Sequence, residues 1–98
     1  MTIRKERLAK LSIGTEWTQV EFLGEPYITI TFRGYAVAID AKVISTGLDY
    51  TVLLGAKSLA DPVENARNGN GGVLKGMKMA VRRSGVERTA TYEARIIQ

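Results

Sequence analysis

Histidine and cysteine are both absent from these 98 residues. The usual general base, the usual zinc ligand and the thiolate nucleophile are therefore missing together. Ser58 and Ser84 have no imidazole to activate them. Asp40, Asp49, Asp61 and Glu64 read as turn, cap and surface residues, not as a compact metal set. Gly69, Gly71 and Gly72 form a glycine-rich run, but no Gly-Lys-Ser/Thr opens a helix after it, so no phosphate loop is written there. The side chains left with something to offer are cations, hydroxyls and aromatic rings. They bind ligands and do not transform them, so neither an enzyme nor a cofactor is expected.

The cations are distributed unevenly. Formal net charge is +4 with a pI near 9.6, which permits a polyanionic partner. Residues 1–13 carry Arg4, Lys5, Arg7 and Lys10 against Glu6 alone. Residues 73–98 carry Lys75, Lys78, Arg82, Arg83, Arg88 and Arg95 against Glu87 and Glu93, while the middle of the chain is net acidic. A fold that brings the two ends together would make one positive surface from them.

The stretch that must position these residues is Tyr27 to Lys57. Its alternation of apolar with small, polar or charged residues is the period-two signal of strands with one buried face. Arg33-Gly34 and Ser45 to Asp49 are tight connections, so the stretch reads as a three-stranded antiparallel meander. Upstream, Thr2 to Leu11 reads as a short helix or a loose basic arm, leaving 14–98 as one domain. Glu16 to Arg33 reads as one long first strand broken at Gly24-Glu25-Pro26, where proline cannot donate to a ladder. Downstream, Asp61-Pro62-Val63-Glu64 places proline and glutamate where a helix starts, and Ser58 offers a competing cap one turn earlier. The run Asn68 to Gly72 ends that helix. Val73 to Arg83 and Thr89 to Ile97 supply two more strands.

The order β-β-β-α-β-β resembles that of OB-fold single-strand-binding proteins over about Trp17 to Ile97, with a small archaeal or viral flavour in A-K-S-L-A-D-P-V-E. The resemblance implies a mainly β fold, a five-stranded Greek-key barrel with one short helix between the third and fourth strands. It also implies a ligand: single-stranded DNA, or RNA, held by a positive groove and by aromatic platforms worth about 1–3 kcal/mol per stacked base. With Ile28, Ile30, Phe32, Val37, Ile39, Val52, Leu54, Met77, Met79 and Ile96 turned inward, the outer face carries Thr29, Thr31, Arg33, Lys42, Lys57, Lys78, Arg82 and Arg95. Arg83 and Arg88 add charge beside it. Trp17 and Tyr27 fall in the outward phase and are the expected stacking residues. Phe32 and Tyr92 read as core, and Tyr35 and Tyr50 open strands where a ring can turn either way.

A second class of function stays in view. Ile44 and Leu53 are apolar in an outward phase and make a patch with Leu48, which suits a protein-interaction or assembly module, including a homodimer. Asp40 and Lys42 share a strand face and read as a surface ion pair. No apolar run nears the length of a membrane span and no secretory signal opens the chain, so a cytoplasmic protein without a membrane partner is expected, in the host cytoplasm if the chain is viral.

Overall fold

The structure is a computed structural model describing residues 3–4 and 8–97. One long, bent strand governs the architecture. Its first half is β2 (Thr18–Phe22) and its second half β3 (Tyr27–Thr31), both antiparallel to the same edge of the ten-residue β4 (Gly34–Val43). Between the pairs Phe22–Ala41 and Tyr27–Ala38, four residues (Leu23 to Pro26) face only two (Ile39 and Asp40). The excess is a bulge, and it falls at the expected Gly24-Glu25-Pro26 break. The opposite edge of β4 pairs with β5 (Asp49–Leu53), completing the expected meander.

After β5 comes α1 (Lys57–Gly69), then β6 (Lys78–Arg83), which pairs with β2, and β7 (Tyr92–Ile97), which pairs with β6. A two-residue β1 (Ile3–Arg4) lies parallel to β3. The result is one mainly β sheet of six antiparallel strands plus this short parallel one, with one helix. Its Cα radius of gyration is 12.7 Å, against about 12.6 Å for one packed domain of this length. The sheet does not close, since β5 and β7 do not pair among the described residues.

The helix starts one turn earlier than its best sequence cap. Leu59, Val63 and Ala66 recur on one face and are buried in the core. Burying Leu59 requires helix before Asp61, so packing overrides the Asp61-Pro62 signal and Pro62 lies inside the helix. The cap position, Ala56, makes no side-chain hydrogen bond. Ser58 instead accepts a hydrogen bond from the Tyr92 backbone N–H at 3.0 Å, tying the helix to β7.

The fourth strand is also shorter than its alternation suggested. Leu74 is fully buried, and the backbone N–H groups of Leu74 and Lys75 donate to the Glu25 carboxylate at 3.0–3.1 Å instead of to a ladder. The bulge thus presents a carboxylate that holds the loop in front of β6.

Two faces of the meander are covered, and this reverses part of the expected phase. Ile39, Val52 and Leu54 enter the core with Val20, Phe22 and Met79 as anticipated. On the opposite face Tyr27, Thr29, Ala38 and Thr51 are also buried. The Tyr27 hydroxyl donates to Asp40 Oδ1 at 2.6 Å, and the Thr51 hydroxyl donates to the same oxygen at 3.1 Å. The expected pair of Asp40 with Lys42 thus gives way to other contacts: Asp40 is held by these two hydroxyls, and Lys42 lies 4.0 Å from Asp49. The N-terminal segment runs along both outer edges of this patch, with β1 on β3 and Lys10 bridging to Thr51. Where described it is extended, not helical. Lys5 and Arg7 of the expected arm lie outside the described residues.

Tyr27 and Thr29 are thus interior, while Ile30, Phe32, Val37 and Ile96, expected inside, are exposed. When both faces of a strand are covered somewhere along its length, alternation fixes the spacing but not which side is in.

Candidate functional site

Cations and rings gather on two separate surfaces. The first is the outer face of β2, β6 and β7. Trp17, one residue before β2, is 36% exposed and has the Arg82 and Arg95 guanidinium groups each 4.5 Å from its ring centroid. Arg82 also donates to Glu93 at 3.0 Å. Register places Glu21 between Lys42 and Lys78, and Lys42 has Asp49 as well. Most of the charge on this face is answered from within the face.

The second surface follows the unclosed side of the sheet. The β3–β4 turn puts Phe32 and Arg33 at the tip of a hairpin, with Gly34 at φ +106°, where a side chain would be strained. The Thr31 hydroxyl donates to the Gly34 carbonyl at 3.0 Å and accepts from the Arg33 N–H at 3.1 Å, fixing the turn. Phe32 is 95% exposed and Tyr35 71%. The Arg33 guanidinium lies 5.5 Å from the Phe32 ring.

From this tip a groove runs back to the seam between β5 and β7. It consists of three adjoining hollows of about 360, 370 and 410 Å³, all lined by Lys10 and Leu53. Phe32 and Thr31 line the outer two, and Arg83 and Tyr92 line the seam hollow, which shares Arg33 with its neighbour. None of the described residues lining the groove is acidic.

Arg83 is held at the seam by its backbone, whose N–H donates to the Gly14 carbonyl at 2.8 Å, and by one terminal nitrogen, which donates to the Glu87 carbonyl at 3.1 Å. Its Nε is shielded from solvent and has no hydrogen-bond partner among the described residues.

The expected site residues therefore divide. Thr31, Arg33 and Arg83 come together in the groove. Lys42, Lys78, Arg82, Arg95 and Trp17 lie on the outer face. Lys57 and Arg88 are exposed but line neither, and Tyr27 and Thr29 are buried. The apolar patch expected from Ile44, Leu48 and Leu53 is also divided. Ile44 and Leu48 lie at the β4–β5 turn, while Leu53 ends β5 and lines the groove.

Among the groove's aromatic residues alternation misread Phe32, left Tyr35 open, and placed Tyr92 against the core, where it packs half-buried. Phe32 is in phase with Ile28 and Ile30, but it directly precedes Arg33-Gly34, and a turn position does not keep strand phase. Lys10 carried a usable signal, as a cation in the basic N-terminal segment. No protein-family model, curated protein or solved structure matches the chain.

Proposed function

We propose that the chain binds single-stranded nucleic acid, DNA or RNA, with little sequence preference, along the groove from Phe32 to Tyr92. One observation carries the reading: exposed rings and three cations, Lys10, Arg33 and Arg83, line one continuous groove with no carboxylate among its described lining residues. Cations track a phosphate backbone, and an exposed ring accepts any base on its face. Duplex offers no free base faces to Phe32 or Tyr35, which favours the single strand. The element order of a long bent strand, a meander, a helix and a hairpin supports an OB-like ancestry of the site, with the open seam in place of barrel closure. The competing reading, assembly through Ile44, Leu48 and Leu53, is weakened because Leu53 lies in the groove, apart from Ile44 and Leu48 at the β4–β5 turn.

The test is a titration with fluorescent oligo-dT at several salt concentrations, with duplex of equal length as control. Three neutralised phosphates on a single strand give a slope of log K against log salt of about −2. Arg33→Ala should make that slope shallower by about 0.7. Salt-independent binding, or equal affinity for duplex, would count against the groove. Concentration-dependent self-association without oligonucleotide binding would favour the assembly reading.

A further inference from the structure

The seam hollow differs from the rest of the groove, and the difference points to what it takes. Its volume is about 410 Å³, within the roughly 300–1,000 Å³ typical of small-molecule sites. Half-buried Leu11 and Ile13 make a small apolar floor over the buried core residues Val52 and Leu59, and most of the hollow's exposed wall is polar. Half-buried Tyr92 stands beside this floor, with the Arg83 guanidinium 5.9 Å from its ring centroid. Lys10, Arg33 and Arg83 supply the charge.

A bare phosphate would satisfy these cations and leave most of the hollow, the side beside Tyr92 included, unfilled. An apolar peptide side chain would cover the floor and leave three cations unanswered. A nucleotide meets both demands, because its base is flat and largely apolar on its faces and its phosphate is a dianion or a backbone diester.

We infer that the seam hollow is a mononucleotide pocket: one nucleotide of the bound strand turns its base into the space beside Tyr92, and its phosphate meets Lys10, Arg33 and Arg83. The inference rests on the reading of the groove as a nucleic-acid site. Arg83 is the residue that distinguishes a pocket from a surface. One of its donors reaches a neutral carbonyl and its Nε has no acceptor among the described residues. A guanidinium in that state gains by turning toward a phosphate, where it makes charge-assisted, paired contacts instead of one neutral one. A shielded donor without an acceptor is uncommon in folded proteins and calls for an explanation. A pocket that orders Arg83 when a nucleotide enters supplies one.

The experiment titrates the full, isotope-labelled chain with thymidine 5′-monophosphate, thymidine and inorganic phosphate, reading amide signals by NMR. Oligo-dT affinity is measured in parallel. The monophosphate should shift the signals of Val52, Leu59 and Tyr92 and bind about tenfold more tightly than thymidine or phosphate alone. Arg83→Gln should weaken it about tenfold, the size of one lost charge-assisted contact. Because Arg83 also braces the turn after β6, Lys10→Ala serves as the second variant, with a smaller loss in the same direction. Oligo-dT binding with no response of the seam signals to the monophosphate would mean the strand passes over the hollow, sinking the pocket and leaving the groove. Monophosphate binding at the seam without oligo-dT binding would keep the pocket and sink the groove. If neither binds, both are wrong.

Discussion

Trp17 and Phe32 each have arginine near the ring, and they end in opposite situations. Trp17 has two guanidinium groups at 4.5 Å, one of which is also held by Glu93. Its face of the sheet is a set of contacts that satisfy one another. Phe32 has Arg33 at 5.5 Å, is almost wholly exposed, and stands at the mouth of a groove whose described lining contains no acid. The same residue types make a closed surface in one place and an open one in the other. A basic aromatic cluster is therefore not yet a binding site; what matters is whether its charges and ring faces are already taken.

The largest test of this contrast sets Phe32→Ala beside Trp17→Ala. Loss of one stack is worth about 1–3 kcal/mol, so Phe32→Ala should weaken oligo-dT binding about five- to hundredfold. Its stability should stay within about 0.5 kcal/mol of the parent, as for most exposed substitutions. Trp17→Ala should do the reverse. Affinity should stay within about twofold, while chemical denaturation should show a loss of about 1–2 kcal/mol from two cation–π contacts. Oligo-dT that quenches Trp17 emission strongly, with Phe32→Ala silent, would put the strand on the outer face.

A second experiment probes the side of the meander where phase was misread. Tyr27→Phe removes the hydroxyl that donates to Asp40 at 2.6 Å and leaves the ring in place. An interior hydrogen bond to a carboxylate, once broken, costs about 1–3 kcal/mol. That loss should appear in denaturant unfolding, with oligo-dT affinity unchanged in the folded protein. A Tyr27→Phe chain of full stability but weakened binding would mean that the Tyr27 hydroxyl meets the strand instead of bracing the interior.

The legible part of this chain was its local grammar. Alternation placed the meander, glycine marked the β3–β4 turn, and proline with glycine marked the bend between β2 and β3. The face each strand shows to the core was not legible, because that depends on what covers the other side. Nothing local in Tyr27-Ile-Thr-Ile-Thr says that Tyr27 and Thr29 will be buried, or that the tip beyond them will stand clear in solvent. The site suffered from the same gap. Arg33 and Arg83 are 50 positions apart in the chain and meet at one groove because β5 and β7 fail to pair, which is a property of the whole sheet. The helix start shows the rule from another side: Asp61-Pro62 is a good cap signal, and burial of Leu59 outweighed it.

The smallest expected effect gives the finest test of the contrast. Glu93→Gln removes the carboxylate that holds Arg82 at 3.0 Å while keeping the side chain's shape. As a partly exposed pair it should cost no more than about 1 kcal/mol of stability. If the outer face is closed only by its own ion pairs, freeing Arg82 should raise oligo-dT affinity about twofold at low salt. The gain should fade as salt screens the added charge. Trp17 emission should still not respond, because Arg95 keeps its place at the ring. A gain beyond about tenfold with quenching of Trp17 would mean that Glu93 alone was holding a second interface shut. The two faces would then differ by one carboxylate and not in kind.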